Sequence, residues 1–109
     1  MKLWIDDLRP APEGYEWARS VNEAKRLILE WEDFYQRIAE SRGWEHTIEL
    51  IDIDHDAGDY AVDGGDYIRL LDWLEEIGRN YPIRIHSMNS VGVANMRAII
   101  QHNGWTEVR

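Results

Sequence analysis

Short β-branched or aliphatic runs alternate along this chain with longer stretches whose apolar residues recur at spacings of three and four. "KLWI" (2–5) is a strand candidate, followed by "LRPAPEG", where two prolines and a glycine break regular structure. "YEWAR" (15–19) alternates and reads as a second short strand. Ser20, with Glu23 three positions on, has the form of a capping box. It opens an amphipathic helix through Val21, Ala24, Ile28, Trp31, Phe34 or Tyr35, and Ile38, with an expected end near Gly43. "TIELIDI" (47–53) is the best strand of the chain. A Gly/Asp-rich loop from Asp54 to Asp66 leads to a helix over 67–78, closed by Gly78. "PIRIH" (82–86) is a strand, "SMNSVG" a turn, "VANMRAIIQH" (93–102) a helix, and "WTEV" (105–108) a last short strand. Strands alternating with helices predict an α/β fold with an open parallel sheet of about five strands and helices on both faces.

That architecture says where a ligand would bind. Open parallel sheets take ligands outside the carboxyl ends of their strands. Three strand candidates end in polar clusters: "IDD" after the first, "IDIDHD" after the third and "IHSMN" after the fourth. Parallel strands bring those ends to one edge of the sheet. Carboxylates crowded there repel one another, and any that are buried must be desolvated, so the cluster costs stability unless it meets a counter-charge.

Asp6 and Asp7 are a pair of oxygen donors suited to a hard divalent cation such as Mg²⁺ or Mn²⁺, with helix or turn capping as the plain alternative. Asp54 falls at the tip of the third strand, beside them, where it could hold the cation or attack phosphorus as a carboxylate nucleophile. Asp56 is a candidate ligand or general acid, and Asp52 reads as scaffold. His55 and His86, each at a strand terminus near acids, could move protons or bind metal. Ser87 and Asn89 could hydrogen-bond a phosphate oxygen or simply shape a turn. Arg9 could clamp a phosphate or pair with the acids. Asp59, Asp63 and Asp66, among glycines, read as turn and cap residues; His46 and His102 read as surface residues. Core packing is the expected role of Trp4, Trp31 and Trp73, while Trp17, Trp44 and Trp105 stay undecided.

Composition narrows the classes. A chain of 109 residues fits one domain, here residues 1–109. There is no cysteine, hence no disulfide and no thiolate site. A formal net charge of −9 disfavours binding of duplex DNA or RNA. No apolar run approaches a membrane span, and the first residues lack a signal-peptide core, so a cytoplasmic protein without a membrane partner is expected.

"LWIDDLRPAP", "IDHDAGD" and "IHSMNSVGVANM", in that order, resemble the receiver domains of two-component regulators and, more narrowly, the cyclic-phosphate processing receiver domains. The resemblance covers essentially the whole chain. It implies a receiver-like, flavodoxin-like sheet in which the first receiver helix is reduced to the "LRPAPEGY" loop. It implies metal binding by Asp6 and Asp7 and gives Asp54 the phosphoacceptor position. Ser87 takes the position of the switch hydroxyl; His55, Asp56, His86 and Asn89 match further polar residues of the narrower group, and Arg9 falls on its N-terminal motif. "WTEVR" lacks the lysine that receivers carry after strand five, and Val93 stands where a basic residue is common.

The leading expectation is a metal-dependent phosphoesterase acting on a cyclic or terminal phosphate of a small nucleotide or an RNA end. The substrate class comes from the resemblance; the residues themselves point only to metal plus phosphate. Two alternatives stand beside it: an atypical receiver phosphorylated on Asp54, and a non-catalytic phosphate- or nucleotide-binding module.

Overall fold

The computed structural model describes residues 1–39, 42–43 and 48–109. Five strands, β1 (Lys2–Ile5), β2 (Tyr15–Ala18), β3 (Leu50–Ile53), β4 (Ile83–Ile85) and β5 (Glu107–Val108), form one sheet in the order β2-β1-β3-β4-β5. Every neighbouring pair is parallel. The helices are α1 (Val21–Phe34), α2 (Ile68–Ile77) and α3 (Ser90–His102). This is the expected receiver-like α/β arrangement, with residues 6–14 running as a loop between β1 and β2 in place of a helix.

The layering follows from handedness. Parallel crossovers are right-handed, and the steps β2→β3, β3→β4 and β4→β5 all move the same way across the sheet. Their helices therefore fall on one face, where α1 packs against α2 and α2 against α3. Leu3, Ile5, Ala18, Ile51, Ile53 and Ile83 point into that layer and share a core with Val21, Ala24, Ile28, Leu70, Leu71, Leu74, Met96 and Ile100. The one step that moves the other way, β1→β2, has no helix. Among the described residues, the second face carries loop 6–14 instead of the helical layer expected there. The loop is tied down where the Trp4 indole N–H donates to the Arg9 carbonyl (2.8 Å) and that of Trp17 to the Asp6 carbonyl (2.8 Å).

Local signals account for most element ends. Ser20 caps α1, its Oγ accepting the N–H of Glu23 at 3.0 Å, while the Glu23 carboxylate reaches back to the N–H of Arg19 at 3.4 Å. The hydroxyl of Ser20 in turn donates to Asp63 at 2.6 Å, and Asp66 accepts from the N–H of Ala57, so both acids have the capping role expected of them. Gly78 ends α2 with a left-handed φ of 69°. Three boundaries differ. The α-helix ends at Phe34 and continues as a π-helical turn, Tyr35–Ala39. The third strand begins at Leu50, with Thr47 outside the described residues. Helix α3 begins at Ser90, three residues before the expected start, because Asn89 caps it through the N–H of Gly92 (2.9 Å). Within the acidic loop, Gly58–Val62 forms a 3-10 helix.

Candidate active site

The three polar strand ends meet as expected. Asp6, Asp7 and Asp54 each offer a carboxylate oxygen, and these lie within 4.8 Å of one another. Asp6 is 1% exposed, yet its carboxyl sits below the usual range. Burial alone would raise it; the N–H groups of Arg9 and Leu8 (2.9 Å each), His86 and the Arg9 charge outweigh that. Asp7 goes the other way, raised by burial and by the charges of Asp6 and Asp54. Asp6 is thus held by its donors, while Asp7 bears the crowd of negative charge that an added cation would relieve. The all-oxygen donor set suits a hard divalent ion. Arg9 supplies part of the counter-charge, 3.2 Å from Asp6 and 3.8 Å from Asp54, with its side chain 54% exposed. Of the two roles open to Arg9 in the sequence, pairing with the acids is the one seen.

His86 follows β4 and lies between two acids, with Nδ1 2.6 Å from Asp52 and Nε2 3.0 Å from Asp6. Its ring stacks on the Trp4 indole, centroids 3.9 Å apart and planes 6° from parallel. Asp52, read as scaffold, is a buried partner of His86. The signal lay in the strand period, since Asp52 pairs with Arg84 and so shares a sheet face with the residue two further on, His86. Trp4, expected in the core, lies on the opposite face, half-exposed, because the core takes its neighbours Leu3 and Ile5.

His55 belongs to a second cluster. Its Nδ1 lies 2.9 Å from Asp56 and 3.4 Å from the Asn89 amide, which also reaches both Asp56 oxygens at 3.3 Å. Asp56 is held below the usual carboxyl range, first by His55 and then, against its slight burial, by Asn89. The imidazole lies flat against Gly92 on the first turn of α3, so close that a Cβ there would overlap the ring. Among the described residues His55 and His86 make no hydrogen bond to each other, so they belong to two separate clusters rather than forming a touching pair. The Asp54 carboxylate links the clusters by accepting the N–H of His55 at 2.7 Å.

Ser87 accepts the N–H of Asn89 at 3.1 Å, which shapes the entry to α3 and leaves its hydroxyl as a donor. Arg19 was not foreseen. Its guanidinium donates to the Asp7 carbonyl (3.0 and 3.3 Å) and sits between the Trp17 and Tyr60 rings, a placement with no local sequence signal. Tyr67, fully buried beneath the site, is pushed well above the ordinary phenol value by burial and by Asp7, Asp6 and Asp54, and donates its hydroxyl to the Arg19 carbonyl at 2.7 Å. His102 is exposed as expected, Trp31, Trp73 and Trp105 pack against the core, and Trp44 and His46 fall outside the described residues. No helix among the described residues is long and apolar enough to cross a membrane.

No curated protein and no solved structure matches the chain. Residues 1–102, however, match the family described as the cyclic-phosphate processing receiver domain. With the match spanning nearly the whole sheet and all three polar strand ends, the chain belongs to the cyclic-phosphate processing receiver domain family.

Proposed function

We propose that this domain is a metal-dependent phosphoesterase that hydrolyses a cyclic or terminal phosphate of a nucleotide or RNA end. The observation that carries the reading is the convergence of Asp6, Asp7 and Asp54 within 4.8 Å, with a histidine on either side. These three carboxylates would hold a divalent cation, Mg²⁺ or Mn²⁺, which when bound neutralises phosphate charge and lowers the pKa of water.

The protein's own groups have complementary tasks. Asp56 accepts from Nδ1–H of His55, a contact that fixes the tautomer and leaves Nε2 as a base for the attacking water. His86 faces carboxylate oxygens through both ring nitrogens, and carboxylates only accept, so the arrangement is complete when each nitrogen carries a hydrogen. Its Nε2–H is the proton source for the leaving oxygen, with Asp52 positioning the ring. Water oxygen forms the new bond to phosphorus, the bond to one ribose oxygen breaks, His55 takes the water proton and His86 gives one to the ribose oxygen. Ser87, Asn89 and Arg9 orient the phosphoryl oxygens.

The test is phosphorus NMR of the protein and of Asp54→Asn, with Mg²⁺ or Mn²⁺, against 2′,3′- and 3′,5′-cyclic nucleotides and acetyl phosphate. Turnover of a cyclic phosphate that disappears in the variant supports the enzyme. A stable acyl phosphate on Asp54 without such turnover would refute it in favour of a phosphorylated receiver. Binding with neither reaction would leave a phosphate-binding module.

A further inference from the structure

Asp7 is held from two sides. Its carboxylate lies against Gly58, the first residue of the 3-10 helix that follows β3. Gly58 has a left-handed φ of 55°, and a Cβ built on it would overlap Oδ2 of Asp7 and come within 3.5 Å of its Cγ. The atom in the way is the end of a side chain, so an added methyl would move the carboxylate before it moved the backbone. On the other side the Asp7 carbonyl accepts from Nη2 and Nε of Arg19, at 3.0 and 3.3 Å. The guanidinium is itself clamped, 4.6 Å from the Trp17 ring and 4.9 Å from the ring of Tyr60 in the same 3-10 helix. The Arg19 backbone is fixed too, since its N–H donates to Glu23 at 3.4 Å and its carbonyl accepts from Tyr67 at 2.7 Å. Asp6 takes its orientation from the N–H groups of Leu8 and Arg9; Asp7 takes its own from this brace.

We propose that Gly58 and Arg19 are positioning residues that hold Asp7 close enough to Asp6 and Asp54 for the cluster to favour a small divalent cation, Mg²⁺, over a larger one, Ca²⁺. The proposal rests on the reading of the cluster as a cation site and adds what selects the ion. Mg²⁺ demands oxygens at about 2.0–2.1 Å in near-octahedral order, whereas Ca²⁺ takes them at about 2.3–2.6 Å in flexible geometry. A carboxylate displaced from the cluster therefore costs Mg²⁺ more than Ca²⁺. Arg19 makes the sign informative. Its positive charge opposes any cation, so removing charge alone would tighten both ions equally. Removing a brace weakens the smaller ion against the larger.

The experiment measures Mg²⁺ and Ca²⁺ affinities by titration calorimetry at fixed ionic strength for the protein, Gly58→Ala, Arg19→Met and Gly104→Ala, each checked for a cooperative melt. Arg19→Met keeps an unbranched stem between the two rings and removes both donors. Gly104→Ala is the control: its φ is 67°, with nothing within 4 Å of an added Cβ, so it carries the backbone strain of Gly58→Ala without the contact. Affinity for Mg²⁺ relative to Ca²⁺ should fall about tenfold in Gly58→Ala and in Arg19→Met, the lower end of what losing a ligand's supporting contact costs a metal site. It should be unaltered in Gly104→Ala. Should Gly58→Ala not fold, Arg19→Met decides alone. A ratio unchanged in either folded variant, or lowered equally in Gly104→Ala, would overturn the brace, whether or not a cyclic phosphate is hydrolysed. No ion bound by the unaltered protein would overturn both the brace and the metal-dependent reading. The expected ratios in a protein that hydrolyses no cyclic phosphate would keep the brace and sink the phosphoesterase.

Discussion

Replacing Gly92 by alanine sets two effects of known size against each other. Gly92 is helical and has no positive φ, so backbone propensity favours alanine by up to about 1 kcal/mol. The added Cβ, however, would lie 2.5 Å from Cδ2 and 2.8 Å from Nδ1 of His55, where carbon contacts are comfortable near about 3.5–4.0 Å. The ring cannot simply retreat. Its residue is pinned by Asp54 on the N–H and by the Tyr67 N–H on the carbonyl, at 2.7 and 3.0 Å. Overpacking of this kind costs about 1–3 kcal/mol, so the net effect is destabilisation of about 0–2 kcal/mol, or a few degrees in Tm. Urea unfolding of Gly92→Ala, His55→Ala and the double variant measures it as a cycle. In the His55→Ala background, alanine at 92 should turn neutral or stabilising, because only the helical gain is left. An alanine that stabilises the otherwise unaltered protein, or that costs the same in both backgrounds, would refute the close packing of His55 on α3.

The acidic cluster makes a second prediction. Mg²⁺ at 100 times its Kd should raise unfolding stability by about 2.7 kcal/mol, and Asp54→Asn should abolish that shift in a thermal melt. Asp7→Asn should also abolish it, yet should stabilise the metal-free protein at neutral pH. The signs of the two carboxyls explain why. The folded value of Asp7 is raised, so its ionisation weakens the fold, and stability grows as pH falls through that value. The folded value of Asp6 is depressed, so its contribution is present above the unfolded value and lost as pH falls through the folded one. The benefit of Asp7→Asn should therefore vanish in acid, which urea midpoints across that range would report. Elsewhere, Ser20→Ala removes a cap and the donor to Asp63, and should cost about 1–2 kcal/mol. Tyr67→Phe leaves the Arg19 carbonyl without its 2.7 Å donor and should cost about 1 kcal/mol by denaturant unfolding.

Much of this was legible in the residues. The five strands and three helices follow from periodicity and caps, and the meeting of Asp6, Asp7 and Asp54 follows from parallel topology once those strands are accepted. What the sequence withheld depends on three-dimensional packing. Gly92 read as part of a turn because glycine usually breaks helices; its reason for being there is the imidazole of a residue 37 positions earlier. The partner that Asp52 supports, His86, was hidden because it lies just past the end of the adjacent strand. Among the described residues the second face lacks the helical layer expected there, because only one crossover moves the other way across the sheet, and a proline-containing loop makes it.

That loop has a further consequence. By replacing a helix with a short strap, the chain places Arg9 among the acids it would otherwise leave to solvent and metal. An incoming cation must compete with this tethered guanidinium, and an anion that draws Arg9 away lowers the competition. Under the proposed function, cation and phosphate affinities would therefore be linked, each ligand raising the affinity for the other by the same factor. Arg9→Ala would uncouple them, tightening the cation alone while loosening the pair.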